Sequence, residues 1–165
     1  MRIEDAAPED LPAILAITNA VIAGTNAIWR DKPTTIEERT AWWRGRIDAG
    51  FPVLVARDAE VLGFGSYGPF RTGDGYRFTV EHSVHVTADA RGRGIGLALM
   101  EALIARARTQ GLRMMVAGVD AGADASLRLH RRLGFTEAGR LIGIGHKGGG
   151  WRDLLFLQKQ LTQDD

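Results

Sequence analysis

Two short stretches carry residues whose types and spacing suit chemistry. The first, Arg91-Gly92-Arg93-Gly94-Ile95-Gly96, sets three glycines and two arginines within six positions. Glycines let successive backbone N–H groups turn into one concavity, and a helix starting there adds partial positive charge, so the turn suits a phosphate or pyrophosphate. The alternative is a flexible basic loop whose glycines serve close helix packing. The second stretch, from Thr79 to Val86, sets Glu81 among polar residues. Such a carboxylate can accept, directly or through one water, the proton an ammonium must lose before its nitrogen attacks a carbonyl carbon. Otherwise Glu81 is a solvated strand residue or the partner of an arginine such as Arg77.

Competing chemistries fail at particular positions. A nucleotide P-loop needs Lys then Ser or Thr after its last glycine, whereas Gly96 is followed by Leu97-Ala98. A dinucleotide fingerprint needs a third glycine where Leu97 or Leu99 stands. His82 and His85, three apart on a regular strand, point to opposite faces, so no metal site is expected. With no cysteine in the chain, disulfides, thiolate metal sites and a cysteine nucleophile are excluded.

Strands and helices must alternate to place these groups. Arg2 to Asp5 reads as a first strand, and Pro8-Glu9-Asp10 opens a helix with Leu11, Ile14, Leu15 and Val21 at helical spacing. Thr35 and Glu38 have capping-box spacing for a second helix ending at Gly50, on which Trp42 and Trp43, being adjacent, are expected to face differently. Val53 to Arg57 and Val61 to Gly65 read as a hairpin, and a long strand is expected over Tyr76 to Val86. Alternation sends Thr79, Glu81, Ser83 and His85 to one face of it, and Val80, His82, Val84 and Val86 to the other. A helix follows the glycine-rich turn, with Ile95, Leu99, Leu103 and Ala107 four apart and Gly111 closing it. Met114 to Val119 is the next strand. Asp124 is expected to cap a helix whose buried face holds Leu129 and Leu133 while Ser126 and His130 share another, and the tail suggests two strands around a glycine-rich turn that includes His146.

With 165 residues, 45% hydrophobic and 25% charged, the chain fits one soluble α/β domain over 1–165. Twenty-one basic against twenty acidic residues leave a net charge of +1, too little to make nucleic acid the expected partner. No apolar run approaches a membrane span and the N-terminus lacks the pattern of a secretory signal, so a cytoplasmic address is expected and no membrane partner.

Arg91, Gly94 and Gly96, between a strand and a helix, resemble the acetyl-CoA pyrophosphate loop of the GNAT N-acetyltransferase superfamily. YRFTVEHSVHV before it, VAGVDAGADASLRLHRRLGF after it and HKGGGWRDLLFLQ near the end resemble the phosphinothricin and methionine sulfoximine N-acetyltransferases, as does NAIWRDKPTT on the substrate side. The resemblance runs from about Ile3 to Leu161. It implies a GNAT fold, a single mixed central sheet flanked by helices with acetyl-CoA at its splayed centre, in a homodimer. It implies direct acetyl transfer to the α-amine of a small amino acid or analogue (methionine sulfoximine, methionine sulfone or phosphinothricin), with Glu81 as general base. Acetyl-CoA contacts are implied at Val84, His85, Val86, Arg91, Gly92, Arg93, Gly94, Ile95, Gly96, Leu97 and Ala98, and near the thiol at Ser126 and His130. An acceptor carboxylate needs a cation and its side chain a wall, for which Trp29, Phe70, Arg71, Tyr76, Arg77 and Thr79 are the candidates. The sequence departs from the superfamily where relatives carry Leu-Gly-Tyr: Leu133-Gly134-Phe135 offers no tyrosine to protonate the leaving thiolate, which leaves departure as thiolate or protonation by water, Ser126 or His130 as the alternatives. A protein N-terminus, a polyamine or an aminoglycoside is the alternative acceptor, and a non-catalytic acyl-CoA sensor the alternative class.

Overall fold

The computed structural model describes residues 1–162. Strands β1 (Arg2–Asp5), β2 (Val53–Arg57), β3 (Val61–Pro69), β4 (Thr79–Val86), β5 (Met114–Asp120), β6 (Thr136–Lys147) and β7 (Gly150–Gln160) form one sheet in the order β1-β2-β3-β4-β5-β7-β6. Helices are α1 (Leu11–Gly24), α2 (Ile36–Asp48), α3 (Ile95–Thr109) and α4 (Asp124–Arg132).

Both faces of the sheet are covered. Leu11, Ile14, Ile17 and Val21 of α1 pack with Val53, Val55 and Phe64. On the opposite face Leu99, Leu103 and Ala107 of α3 join Leu54, Tyr67, Met115 and Leu157. The α2 capping box forms as expected, Glu38 N–H donating to Thr35 Oγ1 and Thr35 N–H to Glu38 Oε2.

Every strand pair is antiparallel except β4 with β5. That parallel pair holds for only three positions, Thr79↔Met114, Val80↔Met115 and Glu81↔Val116. Beyond them β4 stays paired with β3 as far as Gly63↔Val86, and β5 with β7 as far as Asp120↔Leu154. The sheet therefore splays at its centre, leaving the inner edges of both strands without a ladder partner.

Several boundaries differ from the sequence reading. Strand β4 begins at Thr79, because Gly73 at φ +112° leads into a 3-10 turn over Asp74–Tyr76 whose Asp74 carbonyl accepts from Arg77 N–H. Strand β3 runs on past Gly65 to Pro69. Asp124 makes no side-chain cap and is the first residue of α4, with Ala123 at the cap. The buried residues of α4 are Leu127 and His130; Leu129 and Leu133 are half-buried, since His130 packs on Phe135, ring centroids 5.1 Å apart. Trp42 and Trp43 pack against one apolar cluster, the first edge-on to Phe64 and the second donating Nε1–H to the Ala6 carbonyl. His146 lies within β6, against Trp151, before the turn proper. Among the described residues no helix is long and apolar enough to cross a membrane.

Candidate active site

Where β4 and β5 part, a cavity of about 730 Å3 opens, lined from both faces of the sheet. Because Glu81 pairs with Val116, alternation puts Glu81, Gly118 and Asp120 on the α1 side, where Ala27 and Ile28 of the α1–α2 loop also reach the cavity. His82, Val84, Val86, Ala117 and Val119 face α3 and α4.

The glycine-rich turn closes one end. Gly92 (φ +74°) and Gly94 (φ +79°) are left-handed, and a Cβ on either would meet no atom within 4 Å, so dihedral preference rather than crowding requires glycine here. Gly94 is the N-cap of α3, and Ala98 N–H is the first to bond back, to the Gly94 carbonyl. The N–H groups of Ile95, Gly96 and Leu97 are thus left over from the helix ladder at its positive end. Arg91, Gly92, Gly94, Ile95, Gly96 and Leu97 line the cavity. Arg93 is exposed and 3.8 Å from Asp58, and Ala98 sits within the first turn of α3; neither lines the cavity.

Glu81 is half-buried at the point of divergence. Its Oε1 lies 2.9 Å from where a Cβ on Gly118 would stand, so the bare backbone of Gly118 makes room for the carboxylate. Burial raises the Glu81 carboxyl above its ordinary value, and the positive charge of Arg71 opposes that rise. Arg71 lies over the Phe70 ring at 5.3 Å, and Phe70 stands edge-on to Tyr76 at 6.2 Å and to Phe156 at 6.1 Å. Phe156 pairs with Gly118, which brings this aromatic group to the Glu81 side. Arg77 is not brought along: it donates to the Asp74 carbonyl and lies over Phe78. Thr79 contributes its carbonyl to the Phe70 N–H.

Trp29 reaches the site through a carboxylate that lines the cavity. Its Nε1–H donates to Asp120 Oδ2 at 3.1 Å, and Asp120 also takes both Arg152 Nε and Nη2 at 2.8 Å and Gly122 N–H at 2.8 Å. The hydrogen bond from Arg152 is the main reason the Asp120 carboxyl is held below its ordinary value.

On the other face His82 stacks on His130 at 5.0 Å, with Nε2 to Nε2 at 3.0 Å. The Ser126 carbonyl can only accept, so His130 Nδ1 carries the proton of their 2.7 Å bond. His130 Nε2 then accepts from His82 Nε2–H, and His82 Nδ1 is a buried lone pair without a partner. Burial pushes His82 down to about 3, with His130 and His85 adding to the effect, and burial also lowers His130. Both rings are therefore neutral at neutral pH. His85 points to the opposite side, against Phe64, as alternation requires.

The cavity also includes Ala27, Ile28, Gly118, Asp120 and Leu129, which sequence reasoning did not select. A glycine inside a strand, as at Gly118, was the available signal of a close approach. Nothing local marked Asp120 and Trp29, 91 residues apart, as partners.

The chain is 51% identical over 161 residues to an L-methionine sulfoximine/L-methionine sulfone acetyltransferase of Pseudomonas paraeruginosa, covering 96% of this chain and 94% of that one. A solved Salmonella typhimurium acetyltransferase with its cofactor acetyl-CoA superposes with a TM-score of 0.96 at 42% identity, covering all of this chain and 96% of the other. A solved ribosomal-protein-alanine N-acetyltransferase of Brucella melitensis superposes at 0.95 with 46% identity, covering 97% and 99%. The sequence model of the Acetyltransferase (GNAT) family matches residues 14–135, and the chain belongs to that family.

Proposed function

We propose that the chain, acting as one domain over 1–165, acetylates the α-amine of a small amino acid or analogue such as methionine sulfoximine, methionine sulfone or phosphinothricin. Glu81 is the general base in this reading. The observation that carries it is Glu81 itself, a half-buried carboxylate at the fork of the sheet with Arg71 close enough to act on it. Its raised pKa brings a carboxylate closer to that of the proton it must accept.

Acetyl-CoA suits the residues present. The turn from Arg91 to Gly96 and the free N–H groups of α3 match a pyrophosphate, and the unladdered edges of Val84–Val86 and Ala117–Val119 match amides of an extended chain. When bound, it supplies the acetyl thioester. Arg71 neutralises the acceptor carboxylate, while Phe70, Tyr76 and Phe156 wall its side chain. Glu81 takes the ammonium proton, leaving a neutral nitrogen to attack. His82 and His130, held neutral, give the thiol end a setting without cationic charge, and departure of a thiolate there relies on the low pKa of thiols, near 8.5.

The acceptor class rests on the Pseudomonas relative. The Brucella structure's name supports a second acceptor, a protein N-terminal alanine. A cytoplasmic location and a homodimer complete the proposal. Exposed Ile142 (80%) and Trp151 (75%) on the β6–β7 hairpin are the apolar surface a second copy would cover.

The test is thiol release from acetyl-CoA across a panel of amino acids, sulfone and sulfoximine analogues, polyamines and Ala-initiated peptides, with wild type and Glu81→Gln. Release with the small analogues that falls about 10²–10⁴-fold in the variant is expected for loss of a general base. Release confined to peptides replaces the acceptor, and binding without turnover of any amine replaces the enzyme with a sensor.

A further inference from the structure

The β6–β7 hairpin tip and the α1–α2 loop are joined by contacts that the acetyl-transfer chemistry does not require. Lys147, at the end of β6, is buried at 9% exposure. Its Nζ donates to the Ile22 carbonyl at 2.7 Å and to the Arg30 carbonyl. Both acceptors are main-chain carbonyls, one in the last turn of α1 and the other just past Trp29. A buried ammonium is expensive unless its protons are taken up, and here they are spent on holding a loop.

Two further contacts grip the same loop. A Cβ on Gly145 would overlap the Trp29 ring, so the indole lies directly on the β6 backbone. At its other edge Trp29 Nε1–H reaches Asp120, itself fixed by Arg152 of β7. Residues 25–33 have no helix or strand of their own, yet Ala27 and Ile28 line the cavity on the side that carries Glu81.

We propose that Lys147 is a positioning residue that, with Trp29, clamps the α1–α2 loop as the acceptor-side wall of the cavity. The inference rests on the acetyl-transfer reading of that cavity. The Arg91–Ala98 turn is on a different element and is not held by the clamp, so the two co-substrates respond differently to its loss.

Lys147→Met keeps a long apolar stem and removes the donor; Trp29→Phe keeps an aromatic ring and removes the bond to Asp120. For each, backbone hydrogen exchange across residues 25–33 is expected to accelerate at least tenfold, with exchange in α3 unchanged. The acceptor KM is expected to rise at least fivefold while the acetyl-CoA KM stays within twofold. If Lys147→Met does not fold, Trp29→Phe decides by the same two readouts. Unchanged exchange in the loop, or parallel rises in both KM values, overturns the clamp. If the wild-type chain acetylates no amine, the functional reading fails on its own account, and the exchange measurement alone supports or overturns the clamp.

Discussion

Gly118→Ala tests the placement of Glu81 while leaving the carboxylate itself in the chain. A methyl on Gly118 would stand 2.9 Å from Glu81 Oε1, 3.4 Å from Leu154 Cδ1 and 3.8 Å from Phe156 Cε1. The last two distances are ordinary contacts, so only the carboxylate has to give way. Restoring about 3.4 Å moves Oε1 by about 0.5 Å, and since a 1 Å misplacement can lower rates about 10²-fold, kcat should fall roughly tenfold. The added methyl also removes water from the carboxylate, raising its pKa further. A base works deprotonated, so activity is lost as pH falls through the Glu81 pKa, and the rising limb of kcat/KM should move to higher pH. Thiol release across pH, with Gly139→Ala as control because a Cβ there meets nothing within 4 Å, reads both effects. A variant within twofold of wild type and with an unmoved limb would refute the placement of Glu81 against Gly118.

Glu81→Gln should lose activity without losing stability. Burial raises the folded-state pKa, so between the ordinary and raised values the folded chain holds more protons and stability declines as pH rises; removing the group should leave Tm at pH 7 equal or higher. Asp120→Asn should do the reverse. Its lowered pKa gives stability present above the ordinary carboxylate value and lost as pH falls through the lowered one, so the variant should flatten the acid limb of Tm against pH and lose about 1–3 kcal/mol. Gly94→Ala forces a side chain into the left-handed region at the α3 cap, which should lower stability by about 1–2 kcal/mol in denaturant titration and raise the acetyl-CoA KM.

Local patterns were readable where one element decides the outcome. Thr35 and Glu38 announced the α2 capping box, and the i+4 series from Ile95 to Ala107 announced the buried side of α3. The strand around Glu81 was readable in its alternation but not its start, because the 3-10 turn at Asp74–Tyr76 depends on Gly73 adopting φ +112°. Contacts across the sheet were not readable at all. His130 looked like part of a polar helix face until β4 brought His82 beneath it, and Arg71 and Arg77 were equal candidates until Arg77 bonded its own turn. Trp29 was a candidate pocket wall on residue type alone, and its bond to Asp120, which lines the cavity, could not be foreseen. In each case the deciding partner lies on another element.

The register of β4 explains how one strand serves two surfaces. Seven pairs with β3, from Gly63↔Val86 to Pro69↔Val80, fix which residues face the acceptor side and which face α3 and α4. A slip of one residue would exchange Glu81 for His82 at the fork. The same ladder sets the height of α3. A Cβ on Gly63 would come within 2.9 Å of the His85 carbonyl, and one on Gly65 within 2.9 Å of Val84 Cγ2 and 3.0 Å of Leu103 Cδ1. The bare backbone of β3 thus lets α3 settle close to the sheet, and its N-terminus consequently opens at the fork rather than above it. Base and phosphate turn are placed by one strand pair, so a change in β3 far from either would disturb both together.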